Sequence, residues 1–303
     1  MLAGATGSGK TELVEELGEE FEVISLDSRQ IYRELEIGTA APDAALRKKV
    51  PHHLVGIIDP DESFTAMDYR QAALRAIESV IRSNHIPILV GGAGFYLRML
   101  RTGPFQSHTD PEKEALVRNM DHEQRLERLR TLDPNSLTQP GEHPARGRCH
   151  PNDAYRVERF LIAVWSSGKS MQELWDEKEH SEGPFEFQGV FLHPGEEILW
   201  KRLHSRVDQM IERGLLEEAR HCAQKYGICP GLQTLGYKEV LECLNGNLSI
   251  EALKERLWIA HRQYARRQRI WFQKETLEHV EGLASGQLEA MARNLFGASG
   301  IIH

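Results

Sequence analysis

The chain of 303 residues has no apolar run long enough to cross a bilayer as a helix, so a membrane-spanning reading is set aside. Its four cysteines, Cys149, Cys222, Cys229 and Cys243, show no C-x-x-C spacing. That excludes the usual zinc and dithiol patterns and points to reduced thiols in a cytoplasmic protein. No secretory or transit signal opens the sequence, and no internal repeat or low-complexity tract interrupts it. Positive charge is also short: the net charge of -8 argues against indiscriminate binding to nucleic acid, though local basic patches survive the average. Two motifs of nucleotide switches and motors are missing as well. The apolar run at residues 86–90 ends in Gly91-Gly92 rather than in a magnesium-holding acid, and no guanine-reading Asn-Lys-x-Asp is present.

What is present is ordinary in bulk and unusual in one place. A hydrophobic content of 40% with 27% charged residues suits one large α/β domain or a domain with an insertion. The unusual place is Gly4-Ala5-Thr6-Gly7-Ser8-Gly9-Lys10-Thr11, which fits G-x-x-x-x-G-K-[ST]. Glycines there let the backbone bring several N–H groups to one cluster of anionic oxygens. Lys10 adds a point charge, Thr11 a hydroxyl suited to Mg²⁺, and the helical pattern at residues 12–17 a positive helix end. A di- or triphosphate is therefore the expected ligand. Only Met1, Leu2 and Ala3 precede the loop, so either the first strand is a stub or the true start lies upstream.

Along the chain, residues 21–26 read as a strand with Asp27 at its carboxyl end, the edge at which open α/β sheets collect their ligands. Residues 68–82 have helical spacing, residues 86–90 read as a buried parallel strand, and Gly94 opens a helix. This rhythm stops near Gly103-Pro104. From about residue 110 to 182 the pattern is charged and helical, clearest at 116–132 and 154–164, with a Pro/Gly/His-rich loop at 139–151 between them. A return strand is expected at 187–192, then helices at 197–226, 238–244 and 249–275. The predicted architecture is α/β: a P-loop-type core with a parallel sheet flanked by helices, in two parts (1–108 and 184–303), plus an all-helical insertion at 109–183. The last long helix interleaves Lys254, Arg256, Arg262, Arg266, Arg267, Arg269 and Lys274 with Trp258, Tyr264, Trp271 and Phe272. It reads either as a core helix with solvated arginines or as a surface for RNA phosphates. Residues alone leave a phosphate or pyrophosphate chemistry, with Asp27 available as a base toward a hydroxyl.

Several stretches, in order, resemble one family: the loop at 4–11, Asp27-Ser28-Arg29-Gln30-Ile31-Tyr32, Gly38-Thr39-Ala40, Pro51-His52-His53-Leu54, Gly91-Gly92-x-Gly94-Phe95-Tyr96-Leu97, His150-Pro151-Asn152-Asp153 and Gly236-Tyr237. The series is similar to that of tRNA dimethylallyltransferases, also called isopentenyl-tRNA transferases. The resemblance runs from about residue 3 to 275. It implies that the core binds dimethylallyl diphosphate rather than a nucleotide. The prenyl group would go to N6 of the adenosine just 3′ of the anticodon, with loss of diphosphate.

Carried residue by residue, the resemblance gives the loop Gly4, Ala5, Thr6, Gly7, Ser8, Gly9, Lys10 and Thr11 to the diphosphate, with Thr11 holding Mg²⁺. Arg206 becomes an extra cation for the leaving group. Asp27 becomes the base that takes the proton of a poor amine nucleophile. Ser28, Arg29 and Gln30 would meet the target base, which must first be turned out of its stacked loop. Tyr155, Arg156, Val157, Glu158 and Arg159 match one tRNA-contacting segment, and Gln233, Thr234, Leu235, Gly236, Tyr237 and Lys238 a second. His52 and His53, adjacent on a strand, would point to opposite faces and so not form a two-ligand metal site. Three departures stand out: Ala93 where the family carries threonine at a tRNA-side position, Ala41 where lysine is common, and an unlike loop at 139–148. Implied partners are dimethylallyl diphosphate and a tRNA anticodon stem-loop, with no membrane, and a monomer is expected. The other readings are transfer to free adenine nucleotides and a small-molecule kinase.

Overall fold

The computed structural model describes residues 1–103, 109–139, 147–179 and 184–298. The chain divides into two compact units: one joins Met1–Leu100 to Phe185–His303, the other is Arg101–Pro184.

The first unit is built on a sheet of six strands: β1 (Leu2–Gly4), β2 (Phe21–Leu26), β3 (His52–His53), β4 (Ile86–Gly91), β5 (Val190–Leu192) and β6 (Glu278–Val280). Their spatial order is β3-β2-β4-β1-β5-β6, and every pairing is parallel. β1 is only three residues long, yet it pairs on both edges, Leu2 opposite Val90 and Val190. Its neighbours β4 and β5 are largely apolar and β-branched, as strands covered on both faces must be.

Helices cover the two faces: α1 (Lys10–Val14), α2 (Glu36–Thr39), α3 (Ala44–Lys49), α4 (Ala66–Arg82) and α5 (Gly94–Thr102) precede the second unit. One core face gathers Ile24, Leu26, Tyr69, Leu97, Phe191 and Phe272; the other gathers Leu2, Val23, Phe21, Ile88 and Val190. The split follows the alternation of β2, since odd and even residues of a strand face opposite ways.

The second unit is all helical: α6 (Pro111–Asn119), α7 (His122–Leu132), α8 (Ala154–Ser167) and α9 (Met171–Glu179). The single helix expected at 116–132 is two, because Asp121 stops one and caps the next. Its side chain accepts Gln124 N–H, and Gln124 returns the bond to Asp121 N–H. Val117, Leu129, Val157, Leu161 and Met171 form the core of this unit. Much of the loop expected at 139–151 lies outside the described residues.

Beyond it come α10 (Glu196–Glu212), α11 (Leu215–Tyr226), α12 (Tyr237–Leu244), α13 (Ile250–Phe272) and α14 (Gln287–Ala298). The expected run at 197–226 breaks at Gly214, whose φ of 95° ends helical continuity. β6 and α14 have no counterpart in the sequence reading, and α1 ends at Val14, earlier than the pattern suggests. Among the described residues, no helix is long and apolar enough to cross a membrane.

Candidate active site

The phosphate loop connects β1 to α1, and Gly7 and Gly9 take φ of 81° and 99°, a region only glycine enters freely. Lys10 folds over this loop: its ammonium donates to Gly4 O and Ala5 O, both at 2.9 Å. Burial first, and neighbouring Arg206 second, pull the Lys10 pKa down to about 8 against weaker attraction from Asp27 and Glu12. Arg206, on α10, donates to Thr6 Oγ1 at 3.0 Å. Burial holds its pKa below the usual guanidinium value as well.

Asp27 follows β2 at the same edge of the sheet. Its Oδ1 accepts the N–H of Arg29 at 2.8 Å and of Gln30 at 3.4 Å, a local turn that fixes the carboxylate. Oδ2 has no hydrogen bond to the described residues. β4 lies between β1 and β2, so two strand spacings, about 10 Å, separate the loop from Asp27. Asp27 attracts Lys10 electrostatically without forming an ion pair with it, which leaves room for a ligand between them. An open cleft, about 750 Å³ with the solvent at its mouth included, is lined by Thr6 to Glu12, Asp27, Gln30, Gly92, Arg206 and Gln268.

The loop that follows Asp27 is also braced. Gln30 accepts from Ser25 Oγ at 3.0 Å and donates to Ala40 O at 3.2 Å. The Arg29 guanidinium lies over the Tyr264 ring, 4.0 Å from its centroid. His52 lines the cleft, whereas His53 turns to Glu22, 2.6 Å away, as opposite faces of a strand require.

A family model described as IPP transferase matches residues 30–275. The chain is 37% identical over 280 residues to tRNA dimethylallyltransferase 1 of Citrifermentans bemidjiense, covering 91% of this chain and 89% of that one. It is 37% identical over 284 residues to tRNA dimethylallyltransferase of Thermotoga maritima, covering 90% and 88%. Among solved structures it resembles a eukaryotic dimethylallyltransferase acting on tRNA, with a TM-score of 0.81 at 27% identity over 98% of this chain and 79% of that one. The full-length tRNA isopentenylpyrophosphate transferase of Bacillus halodurans gives a TM-score of 0.68 at 29% identity, covering 98% and 94%. The chain belongs to the IPP transferase family.

Within that family frame, the residues read from sequence as tRNA-contacting divide. On α8 of the helical unit, Tyr155 is 74% exposed, and Arg156 and Arg159 are exposed beside it. Val157 is not: it is wholly buried in the helical core, one of four helix faces packing there. Glu158 is committed to an ion pair with Arg125 at 2.7 Å. In the second segment Gln233 and Lys238 are exposed, Thr234 and Leu235 half-buried, and Gly236 buried.

Tyr237 departs most from the reading. It is fully buried, its hydroxyl donates to Glu218 Oε1 at 2.6 Å, and its ring packs on Gly38. Glu218 in turn accepts Ile37 N–H at 2.7 Å and Gly38 N–H at 3.0 Å, capping α2 from another element. The Gly-Thr-Ala and Gly-Tyr motifs are thus two halves of one packing device, not an exposed contact. Ala93 sits half-buried against the core, its N–H donating to Leu26 O at 3.0 Å.

The basic helix is more neutralised than its composition suggests. Lys254 pairs with Asp208 at 2.7 Å, Arg256 with Glu242 at 2.5 Å, and Arg269 with Glu196. Arg262 and Arg266 stay exposed.

Sequence reasoning missed Gln268. It is 5% exposed on α13, accepts Thr6 N–H at 2.8 Å and donates to Gly92 O at 3.0 Å. A signal was available: α13 buries Leu253, Leu257, His261, Ala265, Gln268 and Phe272 along one stripe, and an amide on such a stripe needs partners.

Proposed function

We propose that this chain transfers the dimethylallyl group of dimethylallyl diphosphate to N6 of the adenosine just 3′ of a tRNA anticodon, releasing diphosphate. One observation carries the reading: a carboxylate, Asp27, and a phosphate loop with two half-buried cations, Lys10 and Arg206, border one cleft. Family membership supplies the substrates that such a cleft would join.

In this reading the N6 lone pair attacks C1 of the prenyl chain. The C1–O bond breaks, and its electrons leave with diphosphate. The N6 proton passes to Oδ2 of Asp27, the carboxylate oxygen not occupied by its own turn. Lys10, Arg206 and the loop amides offset the charge that builds on the leaving oxygens. Mg²⁺ bound there would neutralise further diphosphate charge. Thr11, at the cleft wall, fits this ion, and among the described residues no cluster of three acidic, His or Cys ligands competes for it.

Ser28, Arg29 and Gln30 are assigned to the acceptor base. The exposed Tyr155, Arg156 and Arg159, with Gln233 and Lys238, are assigned to the RNA around it. The test is direct: protein, dimethylallyl diphosphate, Mg²⁺ and an unmodified anticodon stem-loop, read by mass spectrometry. The expected product is one prenylated adenosine beside the anticodon. Equal transfer to AMP, or ATP turnover without prenyl donor, would move the assignment to free-nucleotide transfer or to a kinase.

A further inference from the structure

One turn of α13 touches both sides of the cleft. Gln268 bonds the phosphate loop at Thr6 and the end of β4 at Gly92. Four residues earlier, Tyr264 lies under Arg29 of the base-side loop. Residues at i and i+4 share a helix face, so one short rigid element holds two loops, Thr6 lying 262 positions away from Gln268. The chemistry admits one orientation of the Gln268 amide. Thr6 N–H only donates and must meet Oε1; Gly92 O only accepts and must meet Nε2.

The seat is close-fitting. A Cβ added at Gly92 would stand 2.1 Å from Gln268 Nε2 and 2.8 Å from Gly4 O, which accounts for glycine there. Thr6 is held twice, its N–H by Gln268 and its hydroxyl by Arg206. Burial raises the Tyr264 pKa to about 12, so its hydroxyl stays protonated in the working range.

We propose that Gln268 is a positioning residue: it locks the phosphate loop to β4 and, with Tyr264 one turn away, sets the spacing between diphosphate and acceptor base. The proposal rests on the reading of the cleft given above. It predicts a split between the two substrates that a general packing role would not produce. Gln268→Met keeps the size and removes both bonds. Gln268→Asn keeps an amide but is one methylene short, and guards against a Met variant that fails to fold.

For each variant, and for Tyr264→Leu, binding of inorganic diphosphate with Mg²⁺ and of an unmodified anticodon stem-loop is measured beside the thermal midpoint. The Gln268 variants should bind diphosphate about tenfold more weakly, the scale of a lost pair of hydrogen bonds, with stem-loop affinity unchanged. Tyr264→Leu should show the reverse. A folded Gln268 variant that binds diphosphate as the unaltered chain does would overturn the proposal. Failure of the unaltered chain to bind diphosphate would instead overturn the reading of the cleft.

Discussion

Replacing Asp27 by asparagine separates its proposed chemistry from its structural work. The backbone N–H groups of Arg29 and Gln30 need an oxygen acceptor at Oδ1, and asparagine still offers one. The loop should therefore keep its shape. What disappears is a second oxygen able to take a proton. A positioned general base contributes about 10²–10⁴ in rate, or roughly 3–5 kcal/mol of barrier. Asp27→Asn is expected to slow single-turnover prenyl transfer by that factor at saturating dimethylallyl diphosphate. Stem-loop affinity, followed by fluorescence anisotropy, should fall far less than the rate, because the Oδ2 contact to N6 is one among the several assigned to the RNA. Asp27→Ala differs instructively: it also breaks the turn, and each lost bond costs about 1 kcal/mol of stability. A fully folded Asp27→Asn protein that transfers at nearly the original rate would refute the argument, since Glu12, the other carboxylate lining the cleft among the described residues, lies on α1 and not on the turn after β2.

Three further outcomes follow from particular contacts. Lys10 has a pKa of about 8 because it is buried beside Arg206, so the charged form is lost above that pH. The kcat/KM for dimethylallyl diphosphate, which reports the free enzyme, should fall about tenfold per pH unit beyond it, and a flat profile to pH 9.5 would contradict this. Gly38→Ala would set a Cβ 2.5 Å from the ring carbon and hydroxyl of Tyr237, which cannot move without releasing Glu218. A destabilisation of about 1–3 kcal/mol is expected in urea unfolding, and a neutral result would show that the ring has room. Glu22 contacts His53 and His85; its burial alone would raise the pKa, but the two histidine hydrogen bonds overcome that and hold it below the ordinary value. The folded state thus favours ionised Glu22, and that stability is present above the ordinary carboxylate range and lost as pH falls through the lowered pKa. Glu22→Gln should flatten this acid limb of the melting curve, and an unchanged limb would exclude the cluster as its source.

How much of this could be read from the sequence depended on distance along the chain. The phosphate loop, β2 with Asp27 and β4 ending at Gly91 were legible because each is a local pattern of apolar run plus breaker. The burial of Tyr237 is not legible for the opposite reason. Its neighbours in the chain say amphipathic helix, whereas its partners Glu218 and Gly38 come from elements folded against it. The same holds for Gln268, whose two partners lie at the far end of the sequence. Capping boxes were the one local signal left unused: Asp121 with Gln124 divides a helix that periodicity alone would join. β6 escaped because Glu278, His279 and Val280 are mostly exposed at the sheet edge and carry no apolar alternation.

The electrostatics of the cleft say more about the ligand than the loop motif does. Buried cations usually bring a carboxylate with them, since an uncompensated charge is costly to desolvate. Here the Lys10 ammonium rests on carbonyl oxygens, and Arg206 on a hydroxyl. Asp27 and Glu12 act on both from a distance, and for each cation burial outweighs their attraction. A compact anion of high charge relieves this imbalance better than any neutral group, and a diphosphate is such an anion. A nucleotide would satisfy it equally, so the loop cannot choose between a kinase and a prenyl transferase. The choice rests on the family to which residues 30–275 belong. It rests also on a carboxylate that follows β2, two strand spacings or about 10 Å of backbone from β1, where an acceptor amine rather than a second phosphate would have to stand.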